Sequence, residues 1–346
     1  MEQILGPLLR RAAAELGGAE LLRRVLSTVL ERAARRVVGS DAELEIELGD
    51  DAMTVLVFRR VVEGAPGEDE IELQEARAID PEAEAGYELG CVLPLDAIAP
   101  QLRAALLVPA EQYPVLEALL ADLLWDVEVV RSLPRRSSEL DEIVDRLLQT
   151  LHEGSFGPLL CRGCDEVELQ AHELMLGGLL PPALRQLLSG TAGMKDRPGA
   201  PRLGLGRQGF RLLSPLESQE EHAAWTERRE QVREGVLDDG HPARAWNTDW
   251  LPLAVGSRGA EATELLVVDP IGAAADLPGE LLSVSFEEPG WWALGIDVAG
   301  LAHVWLTLHE HGLLEYVPPG VDPIASAKAE VLVQHLLPRR RWVDAG

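Results

Sequence analysis

Residues 42–48 alternate without a break: Ala42, Leu44, Ile46 and Leu48 are apolar, while Glu43, Glu45 and Glu47 are acidic. A period of two belongs to a strand with one face in the core and one in water, because a helix would scatter both sets around its circumference. This stretch must therefore pair within a sheet. Thr54–Phe58 (TVLVF) reads as a more buried strand returning after a turn at Gly49-Asp50-Asp51, and Glu70–Leu73 as a third, beyond a Gly/Pro/acid loop at 64–69. Upstream, Leu21, Leu22, Val25, Leu26, Val29, Leu30 and Ala33 recur at helical spacing, and Arg32, Arg35 and Arg36 complement the C-terminal dipole before Gly39 ends the helix. Gly17-Gly18 sets off a shorter helix at 4–16.

Between 40 and 90 there are 16 acidic and three basic residues, a net of −13. The stretch reads either as a solvating surface or as a face that recruits a basic partner through Glu43, Glu45 and Glu47. The whole chain carries −27, so nucleic acid and anionic membrane are poor partners. No apolar run reaches the roughly 18 residues of a spanning helix, and the first residues lack a signal-peptide core, so a cytoplasmic protein is expected. Three cysteines, at 91, 161 and 164, fit a reducing compartment. At about 150 residues per domain, 346 residues imply more than one domain.

The order of helix, acidic hairpin and the run EIELQEARAIDPEAEAGYELGCVLPL at 70–95 resembles the N-terminal domain of the transcription elongation factor NusA. Glu75, Ala76, Arg77, Ile79, Asp80, Pro81, Glu82, Ala83, Glu84 and Gly86 carry the resemblance, which covers residues 1–107. It implies a domain that docks on RNA polymerase near the RNA exit. No S1-like strand series and no KH-type GxxG follows, so no direct nucleic-acid contact is expected.

A helical bridge and linker occupy 108–138, with Ser132–Ser138 (SLPRRSS) as the candidate boundary, cut first by protease at Arg135-Arg136. A helix from about Glu139 to His152 follows, capped by Ser138. Glu166–Leu188 reads as helix, Gly-Gly break and a Pro-started helix, 202–217 as a strand-like stretch, and 216–234 as a helix. Strands are expected at 264–269 and 279–286, and a final helix at about 293–313. This order resembles the SUKH superfamily over 140–316, through Glu173, Leu174, Gly177, Leu180, Pro181, Leu184, Leu187 and Leu188, the RLLS at 211–214, and Trp246, Trp250, Pro252 and Ala254. The resemblance implies an immunity-type protein that masks a basic toxin domain. Seven of the eight tryptophans fall between 225 and 342. Trp246, Asp249 and Trp250 either anchor the sheet or form a partner-binding rim.

The chemical motifs are weak. Gly204, Gly206 and Gly209 spell a dinucleotide fingerprint, but a strand-like stretch follows where a helix is needed. Cys161 and Cys164 form a CxxC without a second ligand pair for zinc. No nucleophile elbow, P-loop or HExxH motif is present, so no enzyme, no metal and no cofactor is expected. The resulting expectation is an α+β chain with an N-terminal module of helices and a small antiparallel sheet at 1–107, a SUKH-like sheet wrapped by helices at 139–320, and a C-terminal helix and tail at 321–346. Its role is that of a non-enzymatic adaptor or immunity protein. The alternative is a transcription-associated factor touching RNA polymerase through residues 1–107.

Overall fold

The computed structural model describes residues 2–344 apart from 17, 40–41, 49–52, 68–69, 96, 103–104, 106–114, 129, 131–132, 134–141, 177–178, 207, 239, 259–260, 273–277, 288–289, 318–321 and 338–339. The turn at 49–51, the Arg135-Arg136 pair and the Ser138 cap fall outside these residues. The chain divides into two compact units, Met1–Ser132 and Leu133–Gly346.

In the first unit, helices α1 (Glu2–Leu16) and α2 (Ala19–Val38) pack on each other, with Gly18 between them. Their apolar stripes meet: Leu8, Leu9, Leu22, Leu26, Val29 and Leu30 are all buried. Helix α3 (Leu73–Ile79) is short, and α4 (Val115–Glu128) packs on α1 through an apolar run. Strand β2 (Met53–Val62) is the spine of the sheet; β1 (Leu44–Leu48), β3 (Glu70–Glu72) and β4 (Glu88–Val92) all pair with it. The β1 and β4 pairings are antiparallel, but β3 runs parallel to β2. The expected antiparallel sheet is therefore mixed, because β3 lies beside the last residues of β2, Arg60–Val62, and runs in the same direction instead of reversing as a hairpin.

The second unit is built on an eight-stranded sheet in the order β11-β5-β6-β7-β8-β9-β10-β12, every neighbouring pair antiparallel. The strands are β5 (Arg202–Leu205), β6 (Gln208–Leu212), β7 (Leu251–Arg258), β8 (Glu261–Asp269), β9 (Glu280–Ser285), β10 (Gly290–Ala293), β11 (Glu315–Tyr316) and β12 (Arg341–Asp344). Central strands are buried on both faces. Leu265 and Val267 join a tryptophan-rich cluster, while the alternate residues Leu266 and Val268 are also fully buried, which is why ELLVVD reads as an unbroken apolar run. Helices α5 (Ile143–Glu153), α7 (Pro182–Gly190), α9 (Val298–Glu310) and α10 (Pro323–Leu336) pack together, with α9 and α10 also on β5. Helix α6 (Glu166–Leu176) precedes α7, and α8 (Pro215–Arg233) packs on β7.

Ser214 explains the sharp start of α8: its hydroxyl accepts from Glu217 N–H at 3.3 Å, and the Glu217 carboxylate accepts from Ser214 N–H at 2.8 Å, a reciprocal capping box. Three expectations change. The stretch at 202–212 is a hairpin of two strands, with Gly206 at φ +70° in its turn, so Gly204, Gly206 and Gly209 belong to no phosphate-binding loop. Residues 290–293 form a strand, and the following helix starts at Val298, capped by Asp297. Helix α5 starts at Ile143 after Glu142, whose side chain makes no capping bond. Within 321–346, β12 completes one edge of the large sheet. Among the described residues no helix is long and apolar enough to cross a membrane.

Candidate functional site

The strict alternation of β1 becomes a surface. Glu43, Glu45 and Glu47 are exposed, while Leu44, Ile46 and Leu48 are half-buried. The register then decides what shares the acidic face. Glu45 lies opposite Leu56 and Glu47 opposite Thr54 on β2, and the Glu43 carbonyl accepts from Phe58 N–H at 3.0 Å. Across β2, Leu56 faces Val92 and Phe58 faces Gly90. Directly opposed residues of an antiparallel pair point to the same side. One face therefore carries three parallel rows: the glutamates; half-buried Leu56 and Phe58; and Val92, which is 66% exposed. A Cβ added at Gly90 would lie 3.5 Å from the Phe58 ring, in ordinary van der Waals contact, so the ring packs directly over this position. An apolar centre with a charged rim is the general plan of a protein interface. Sequence reasoning finds the glutamates, but Leu56, Phe58 and Val92 join them only through the register.

The run at 75–86 has a different role. Ala76 and Ala83 are buried in a cluster with Val61, Ile71 and Leu89. Arg77 Nε donates to the Ala83 carbonyl at 3.2 Å, and Asp80 Oδ1 accepts from Glu82 N–H at 3.0 Å. Gly86, at φ +88°, donates to the Val61 carbonyl at 2.7 Å and returns the chain to the sheet. These residues specify the turn that aligns β4 with β2, so their composition is that of a folding element.

The second unit takes its two tryptophans inside. Trp246 is 1% and Trp250 0% exposed. Trp250 stands edge-on to Trp246 and Trp291, with ring centroids 5.7 and 5.3 Å apart. Trp246 Nε1 donates to Thr226 Oγ1 at 3.2 Å. Both rings anchor helix α8 to the sheet and offer nothing to a partner, while Asp249 remains exposed in a tight turn where its N–H donates to Asn247 Oδ1 at 3.1 Å. Trp342 on the edge strand β12 is 36% exposed and stacks edge-on against Trp292.

Cys161 and Cys164 are free thiols, and burial pushes the Cys164 thiol above its ordinary pKa, opposite to the shift of a reactive cysteine. Among the described residues no three His, Cys, Asp or Glu side chains gather as a metal site requires. His172 on α6 is 2% exposed, and neither ring nitrogen has a hydrogen-bond partner among the described residues. Burial depresses its pKa, opposed by the charge of Glu168 one turn earlier. The folded state thus holds His172 neutral, whereas the unfolded chain protonates it near pH 6.5. Its contribution is fully present above that pH and is lost as pH falls towards the lower folded value, at up to about 1.4 kcal/mol per pH unit. Urea unfolding between pH 7.5 and 5 should show this slope, and His172→Leu should flatten it by that amount; equal slopes in the two proteins would place the acid sensitivity elsewhere.

Residues 18–98 match the NusA N-terminal domain family. The solution structure of the N-terminal domain of NusA from B. subtilis aligns at 20% identity with a TM-score of 0.23, covering 37% of this chain and 98% of that one. No curated protein matches.

Proposed function

We propose that this chain is a non-catalytic, transcription-associated adaptor whose N-terminal unit docks on RNA polymerase. The observation that carries the reading is the family match over 18–98, which spans α2, the whole small sheet and the turn at 75–86. In the family that those residues resemble, this domain docks beside the RNA exit. The face bearing Glu43, Glu45, Glu47, Leu56, Phe58 and Val92 is the surface suited to a basic protein patch with an apolar centre. A cytoplasmic setting goes with this role. The SUKH-type immunity role for the second unit rests on the motif order over 140–316, which lies outside the matched residues, so the transcription reading is preferred.

Replacing Glu43, Glu45 and Glu47 together by Gln keeps the size and alternation of β1 and removes three charges from one face. Complementary fields raise association rates, and salt screens them beyond roughly 8–10 Å. Surface-plasmon kinetics with purified RNA polymerase at two salt concentrations should show saturable binding. The on-rate should fall with salt and, in the triple variant, by roughly three- to tenfold. Folding stability should change by less than about 0.5 kcal/mol, because these side chains are exposed and make no ion pair with a described residue. Absence of binding would reject the polymerase reading, and an on-rate indifferent to both salt and substitution would return the strip to a solvating role.

A further inference from the structure

Among the described strand residues on the open face of the small sheet, one is basic. Arg60 on β2 lies two residues beyond Phe58, and alternate residues of a strand share a face, so it ends the row that Leu56 and Phe58 begin. The register sets Glu88 of β4 opposite it on one side and Glu70 of β3 on the other. The next pair, Val61 and Ile71, is buried in the cluster on the other face, as the alternation requires. Arg60 is exposed and makes no ion pair with a described residue, although both flanking glutamates start within about 5 Å of it at Cβ. The Glu70 carboxylate is engaged instead by Gly67 N–H at 2.9 Å. The face that carries Glu43, Glu45 and Glu47 therefore also presents a guanidinium at the rim of its apolar centre. Such a charge opposes the attraction of this face for a basic patch, and adds to binding only where the partner meets it with an acceptor. A guanidinium is a planar fork of donors that matches a carboxylate through two parallel hydrogen bonds.

We propose that Arg60 is the specificity-determining residue of this docking face: it takes a carboxylate of the partner, so the complementary surface is basic opposite β1 and acidic opposite Arg60. The proposal rests on the polymerase reading and adds to it the pattern of charge that the partner carries. A uniformly basic patch is drawn to the glutamates but repelled at Arg60, and like charges brought together in an interface reject a wrong partner. The two kinds of charge act on different rates. The glutamate row sets how fast the surfaces meet, whereas a bidentate pair formed beside Phe58, where the apolar centre excludes water, sets how long they stay together.

The test uses the full chain with two ligands, purified RNA polymerase and an amidated oligolysine that offers positive charge and no carboxylate. Arg60→Glu makes the face more negative, so attraction to a basic patch alone would tighten binding to both. With a carboxylate opposite Arg60 the ligands part. In surface-plasmon kinetics at about 0.15 M salt, polymerase should leave Arg60→Glu at least about tenfold faster than it leaves the parent. Arg60→Gln, which keeps donors and loses the charge, should fall between them. Oligolysine, followed by fluorescence anisotropy, should bind Arg60→Glu at least as tightly as the parent. The two ligands then rank the proteins in opposite orders, which a loss of folding cannot produce. Polymerase leaving Arg60→Glu no faster than the parent would overturn the proposal and keep the docking role, and a variant that loses both ligands would overturn it too. Absence of polymerase binding by the parent chain would remove the docking role and this proposal together.

Discussion

Trp250→Ala is expected to remove about 3–5 kcal/mol of the stability of the C-terminal unit, the range for deleting a large ring from a packed core. The ring is fully buried and is held edge-on between Trp246 and Trp291, so no side chain can swing in to fill the space. Its surroundings, including Leu265, Val267, Leu282 and Val284, come from two sheet strands whose register would have to break for the cavity to collapse. Against this stands one unfavourable feature: Trp250 Nε1 is buried without a hydrogen-bond partner among the described residues, which costs about 1–3 kcal/mol in such a setting. Trp250→Phe therefore removes an unsatisfied donor while keeping most of the ring, and should remain within about 1.5 kcal/mol of the parent. Urea unfolding followed by circular dichroism measures both. A loss of less than about 1 kcal/mol for the alanine variant would contradict the core role and return Trp250 to the surface rim.

The contrast between Trp250 and Glu45 shows what local sequence can convey. The alternation at 42–48 predicts β1 because side-chain period is a property of the strand itself, and the same is true of the helical spacing in α2. What the glutamates sit beside is set by pairing with β2 and β4, so Leu56, Phe58 and Val92 were hidden until the register was known. The strand at 290–293, just ahead of the helix expected from about 293, is invisible for the same reason. Gly290-Trp291-Trp292-Ala293 has no decisive period over four residues, and becomes a strand by lying between β9 and β12, the latter some 50 residues further on in sequence. Trp246 and Trp250 sit in the polar-looking segment WNTDW, which resembles an exposed rim. They turn inward because Trp225 and Trp291, from a helix and a strand outside that segment, supply the ring contacts.

Gly163→Ala should cost about 3–5 kcal/mol and outrank any single change at the neighbouring cysteines, a result that decides what the CxxC is for. The segment 161–164 lies flat along the end of α7: Cys164 N–H donates to the Leu188 carbonyl at 2.8 Å, and the Arg162 carbonyl accepts from Ala192 N–H at 3.2 Å. A Cβ on Gly163 would stand 1.8 Å from the Ser189 carbonyl oxygen and 3.1 Å from the Gly190 carbonyl carbon, both rigid backbone. Gly190 is itself closely packed, since a Cβ added there would lie 2.2 Å from the Leu148 side chain on α5. The added methyl must push the two backbones apart and stretch both hydrogen bonds, about 1 kcal/mol each on top of about 1–3 for the overpacking. Cys161 is only half-buried, and Cys161→Ser exchanges one small side chain for another, so its cost should stay below about 1 kcal/mol. If the two thiols instead held zinc, the ranking would invert: Cys161→Ser would be the damaging change, and the purified protein would carry stoichiometric metal lost in that variant. Thermal unfolding of both variants beside a zinc assay separates the cases, and the steric crowding at Gly163 predicts the first.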